Sequence, residues 1–313
     1  MFAVTLDPLA DDDYQLVLDR ETSTCQVLRP NQAPVLEPMD GDSPFGDTSY
    51  ISRVIYRPSK NLLTVETIRG DTILAELPTV HDFAPHRDRP TVYLDQNHWN
   101  TLYRAKYVIS GANSPEREAA LWLIEQASAG RIILPLSSAH MSETCKWRNG
   151  GERYTLALTM LQLSAGWQLR DPIAVRRNEI LSSLHSRLET GLEISTHPVV
   201  TLEPYAISRD LRSSEVVQEH TPLALAALTA LTANFDTMLD GEAVRQSPVP
   251  GWVERNQTFT DWLVTEKSVG PELTRRRTYV FFFSDTGNEV AKAAHSTMPR
   301  SLSGAPVRFA CAA

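Results

Sequence analysis

The stretch from Thr91 to Trp147 constrains the fold most, because short apolar runs alternate there with helical periodicity. Thr91 to Leu94 is a short apolar strand, and Asn97 to Ile109 follows with helical spacing. Ser114-Pro115-Glu116 opens a second helix: Ser caps the free backbone N–H groups, Pro presets the first turn, and the acid meets the positive end of the helix dipole. That helix places Ala119, Ala120, Leu123, Ile124 and Ala127 on one face and stops at Gly130. Arg131 to Leu134 is another apolar strand, and Ser138 to Trp147 a third helix closed by Asn149-Gly150-Gly151. Strand, helices, strand, helix predicts an α/β domain with a parallel sheet and right-handed crossovers.

On either side the pattern changes. Residues 1–80 hold alternating strands and turns: Tyr50 to Tyr56, a turn at Pro58-Ser59-Lys60-Asn61, Leu62 to Ile68, a tight turn at Arg69-Gly70-Asp71, then Thr72 to Leu77. This predicts a small β-rich N-terminal module, with 81–90 as a linker rich in Pro, His, Asp and Arg. The α/β domain is expected over 91–295, with a helical insertion at about 152–270, a last strand at Thr278 to Phe283 and an irregular tail at 296–313.

Composition narrows the function. With 42% hydrophobic and 22% charged positions, the chain of 313 residues buries a substantial core. Its longest apolar run, Leu223 to Leu231, falls far short of the roughly 20 residues a membrane-spanning helix needs, so no membrane segment is expected. The first 13 residues have no basic leader-like region, and Cys25, Cys145 and Cys311 form no Cys-x-x-Cys pair, which together predict a cytoplasmic protein. The net charge of −8 is concentrated in residues 1–90, with 15 acids against 8 bases. That excludes a uniformly basic nucleic-acid binder and makes the acidic N-terminal module a candidate surface for a basic protein partner. Arg275, Arg276 and Arg277 are the candidate phosphate-binding patch.

Chemistry concentrates at Val92-Tyr93-Leu94-Asp95-Gln96-Asn97-His98-Trp99 and at Ser137-Ser138-Ala139-His140-Met141-Ser142-Glu143. An Asp at the end of a strand and a Glu early in the helix after the next strand converge if the strands are neighbours. Two hard oxygen ligands favour Mg²⁺ or Mn²⁺, whose charge offsets the repulsion between the carboxylates. His98 and His140 add a transition-metal alternative, and Asp95 alone is also a good helix cap. Asp285-Thr286-Gly287 lacks the second loop of an aspartic protease, and Asp95-x-Asn97 lacks the second Asp of a phosphatase-type pair.

These two segments resemble the first two motifs of the PIN-like nuclease domain, over roughly Thr91 to Arg148. The resemblance implies Asp95 and Glu143 as metal ligands, Asn97 as the residue that orients Asp95, a PIN-like parallel sheet, and metal-dependent hydrolysis of RNA. Of the later family carboxylates, Asp285 is the best positional match for the last, with Asp236, four residues before Asp240 on one helical face, as the weaker choice. A catalytically incomplete PIN-like module that binds RNA or protein is the alternative.

Overall fold

The computed structural model describes residues 14–39, 50–79, 82–86, 88–107, 114–188, 197–207 and 223–239. The chain divides into two units, one of residues 1–171 with 198–250, the other of 172–197 with 251–313. Asp240, Arg275, Arg276, Arg277 and Asp285 lie outside the described residues, as does the expected last strand.

The first unit begins with six strands: β1 Gln15–Asp19, β2 Thr24–Leu28, β3 Val35–Pro38, β4 Ile51–Arg57, β5 Leu62–Thr67 and β6 Thr72–Glu76. They form one antiparallel sheet in the order β3-β2-β1-β4-β5-β6. Local chemistry sets the turns. Asp19 Oδ1 accepts from Thr22 N at 3.0 Å, closing the β1–β2 hairpin. Between β4 and β5 a 3₁₀ turn at Pro58–Lys60 ends on Asn61 in the left-handed region, φ 46°. Gly70 takes φ 81° between β5 and β6, a conformation open to a residue without Cβ. Ile51 and Val54 of β4, Leu63 and Val65 of β5, and Ile73 and Ala75 of β6 are all buried.

The same core continues into helices. They are α1 Gln96–Tyr107, α2 Pro115–Ser128, α3 Ser138–Thr144, α4 Gly150–Ser164 and, later in the chain, α6 Leu223–Leu239. Between α4 and α6 lie β7 Gln168–Leu169, α5 Pro172–Leu188 and β8 Val200–Thr201, with β7 and β8 paired antiparallel. Within the second unit, α5 is the described element. Helix α4 is buried on nearly every side, at Tyr154, Leu156 to Leu161, Leu163 and Ser164, and packs against β6, α1, α2, α3 and α6. A helix apolar all round must be enclosed. Trp99 and Leu102 of α1 and Phe235 and Met238 of α6 belong to the same buried cluster.

Among the described residues the expected PIN-like parallel α/β sheet is not formed; their main sheet is antiparallel and precedes the helices. Of the segments expected as parallel strands, the two that are described meet in one isolated parallel bridge, Thr91 with Ile133, and a second such bridge joins Leu136 to Gln168. The reason lies in their hydrogen bonds. Ile133 N donates to the Pro90 carbonyl and Val92 N to the Ile133 carbonyl, each at 2.9 Å, but Pro135 has no N–H to continue the ladder. On the other segment the Leu94 carbonyl is taken by a side chain, His140. A further difference concerns Gly150-Gly151: the pair opens α4 rather than closing α3, because Asn149 Oδ1 accepts from Gly151 N at 3.0 Å and Glu152 N at 3.3 Å.

The turn after α4 ties this helix to the sheet edge. Ala165 (φ 49°) and Gly166 (φ 89°) are both left-handed, and the Ala165 carbonyl accepts from Glu76 N at 2.9 Å. Arg89 holds the Glu76 carboxylate through two bonds of 2.7 and 2.8 Å. A Cβ on Gly166 would stand 3.0 Å from the Glu76 carbonyl oxygen, whereas one on Gly130 (φ 65°) would meet nothing within 4 Å. Gly130→Ala therefore loses about 1 kcal/mol, from the left-handed backbone alone. Gly166→Ala loses a further 1–2 kcal/mol or so from forced displacement of packed backbone. Urea unfolding of the two variants against wild type checks the difference.

Candidate functional site

Burial alternates along residues 93–95: Tyr93 and Asp95 are exposed while Leu94 is buried. Asp95 caps α1. Its Oδ1 accepts from His98 N at 2.9 Å and lies 2.6 Å from His98 Nδ1, with the carboxylate 54% exposed. The His98 backbone N–H, with the neighbouring imidazole and the Asn97 backbone, holds this carboxyl below the usual aspartate value. Asn97 is exposed, and its contribution to Asp95 comes from its backbone rather than its amide. The side chain that touches Asp95 is His98.

Helix α3 is fixed against this segment by one buried imidazole. Ser137 and His140 form a reciprocal N-cap: Ser137 Oγ accepts from His140 N at 3.4 Å, and His140 Nδ1 accepts from Ser137 N at 3.0 Å. Because a backbone amide can only donate, the ring proton sits on Nε2, which donates to the Leu94 carbonyl at 2.7 Å. Burial pushes the His140 pKa down to about 4, opposed by the Leu94 carbonyl and the Asp95 charge. A second link runs from Gln96 Nε2 to Thr144 Oγ1 at 3.1 Å. The loop bearing Asp95 and the helix bearing Glu143 are thus bound together at two points, through the residues on either side of Asp95 and through residues three before and one after Glu143. Glu143 itself is exposed.

The other predicted residues stand elsewhere. Asp236 is half-buried in α6, a helix packed against α3 and α4. Asp285, Asp240 and the arginine triplet fall outside the described residues. Among the described residues no group of three His, Cys, Asp or Glu side chains is placed to hold a metal ion. The donors that the segment does offer, two exposed carboxylates and the His98 imidazole, are of a kind that Mn²⁺ accepts.

Three features escaped the sequence reading. They are the His140 clamp, the Gln96–Thr144 link and the position of Tyr93, whose ring lies parallel to that of His140 at a centroid distance of 5.4 Å and an interplanar angle of 22°. The first had a signal, since Ser137 and His140 stand at capping-box spacing, with His at the position Glu or Gln usually fills. No family model, no curated protein and no solved structure matches the chain.

The clamp makes stability depend on pH. Below the ordinary histidine value of 6.5 the unfolded chain takes up a proton that the folded ring refuses until about pH 4. Stability therefore falls as pH drops through that window, by about 3 kcal/mol across the whole of it. His140→Gln is expected to be less stable at neutral pH and to show a flatter decline on acidification. Urea unfolding of both proteins from neutral pH to about pH 4 measures the two slopes.

Proposed function

We propose that this chain is a metal-dependent endoribonuclease, with Mg²⁺ or Mn²⁺ held by Asp95 and Glu143. The observation that supports the reading is the double link, His140 to Leu94 and Gln96 to Thr144, between the two carboxylate-bearing segments. The reading rests on the likeness of those segments to PIN-like nuclease motifs and takes nothing from the fold. Asp285 is the preferred third ligand and Asp236 the less favoured one; Arg275, Arg276 and Arg277 are the proposed contacts to RNA phosphates. When bound, the ion would activate a water and offset charge on the phosphate.

The chain's own groups supply positioning. Asp95 is held in one orientation by the His98 backbone and ring, so a ligand to its carboxylate does not have to freeze a mobile side chain. Glu143 rides on a helix whose first turn is pinned by His140. Anchoring the segments that carry two carboxylates lowers the ordering cost of a shared metal ion relative to two free surface acids.

No described helix is long and apolar enough to cross a membrane. We place the activity in the cytoplasm, on intracellular RNA, with the acidic N-terminal region as the surface for a basic protein partner. The catalytically incomplete binding module is the second reading. It is favoured by the engagement of Asp95 Oδ1 with His98 and by the absence of a three-ligand group among the described residues.

Purified protein should cleave single-stranded RNA with Mn²⁺ and stop on addition of chelator. Asp95→Asn and Glu143→Gln should each lower the rate by about a hundred-fold, a loss of roughly 3 kcal/mol of transition-state stabilisation. Gel-resolved cleavage of end-labelled RNA reads both, and unchanged rates in both variants would remove the nuclease. Calorimetry with Mn²⁺ separates the second reading: heat of binding abolished by Asp95→Ala supports the enzyme, and no binding at millimolar metal supports the module.

A further inference from the structure

An exposed tyrosine is by itself ordinary. Tyr93 differs in three respects. Its side chain is 55% exposed although it sits in an apolar run, between half-buried Val92 and buried Leu94. One face of its ring is already occupied by the imidazole of His140, nearly parallel at 22°. That imidazole is in turn immobilised by the Ser137 amide, the Leu94 carbonyl and the edge of Trp99 at 5.9 Å. A ring backed in this way presents its opposite face to solvent without retaining much rotamer freedom. Stacking a planar group on it therefore costs little ordering entropy.

The position of the ring is equally specific. Burial alternates from exposed Tyr93 through buried Leu94 to exposed Asp95, which places both of the exposed side chains on the solvent side. A flat π surface next to a carboxylate proposed to hold a metal matches a nucleotide. The base has a π face and needs no hydrogen-bond code to stack, and the phosphate on its ribose reaches the adjoining ion. A base inside a duplex has both faces covered by its neighbours, so the platform selects an unpaired one.

We propose that Tyr93 is a stacking platform for an unpaired base next to the scissile phosphate, which makes the substrate single-stranded RNA. The inference rests on the site reading above for the identity of the ligand, but stacking itself needs no metal. It can therefore be measured with the metal removed.

The test is fluorescence anisotropy of a short labelled oligoadenylate, in chelator, with the full chain. Tyr93→Leu keeps an apolar group against His140 and removes the π face, so it is expected to weaken binding between about five-fold and about a hundred-fold. Tyr93→Phe and Tyr93→Trp should stay within about two-fold of wild type or bind more tightly, because both retain a ring. Circular dichroism and thermal unfolding of all three variants show whether a loss is one of folding; a destabilised Tyr93→Leu would leave Tyr93→Phe and Tyr93→Trp to be compared with Tyr93→Gln. Equal affinity of wild type and Tyr93→Leu overturns the platform, even if Mn²⁺-dependent cleavage sensitive to Asp95→Asn is present. Absence of any wild-type binding in chelator overturns it as well. Binding lost in Tyr93→Leu, in a protein that cleaves nothing with any metal, establishes the platform and removes the nuclease.

Discussion

Helix α4 is the element on which the first unit depends. Asn149 supplies its N-cap, and its last turn ends in a left-handed Ala165 whose N–H returns to Leu161, so each end carries a local cap. What it cannot do alone is remain in water with Leu156, Ala157, Leu158, Met160 and Leu161 spread around its circumference. The sheet takes one side, α6 another, and α1 with α2 and α3 the remainder. Tyr154 fastens the helix to the β5–β6 turn. Its hydroxyl lies 3.0 Å from both Thr67 Oγ1 and Asp71 Oδ2, while Arg69 covers its ring at 3.9 Å. The Arg69-Gly70-Asp71 turn is thereby a docking point for a helix more than eighty residues away.

Local signals were legible where the cause was local. The hairpins at Pro58–Lys60 and Gly70, and the Ser114 cap on α2, follow from residues whose own backbone preferences decide the matter. Tertiary competition hid the rest. Apolar runs at Thr91 to Leu94 and Arg131 to Leu134 have the composition of buried parallel strands, and they do lie side by side at Thr91 and Ile133. Whether such a contact grows into a sheet depends on where the next carbonyl and N–H go. Here a proline and a histidine ring, rather than hydrophobicity, end it. Periodicity carries no information on that choice.

Much the same holds for the candidate site. Asp95 and Glu143 are recognisable as chemistry-bearing residues from type and spacing. The bonds that fix their carriers, through His140 and Gln96, join residues 46 and 48 positions apart in the chain. Such pairings are invisible in a single sequence. His140 has the chemistry of a metal ligand, but it is buried with both nitrogens engaged by backbone, so it has no lone pair to offer an ion.

The order of elements bears on how the chain is made. During synthesis the six strands of the antiparallel sheet leave the ribosome first and can pair locally, since most of their partners are adjacent hairpin arms. Their apolar face, however, shares a core with residues of α4 and α6, which emerge some 75 to 160 residues after Glu76. At the usual ~5–20 residues per second, that leaves several seconds or more in which a paired but uncovered sheet stands in water. Edge strand β3, with Val35 and Leu36 both exposed even in the finished fold, adds a border that no other described strand pairs. The apolar face of the sheet thus goes longest without its full cover between completion of β6 and translation of α6.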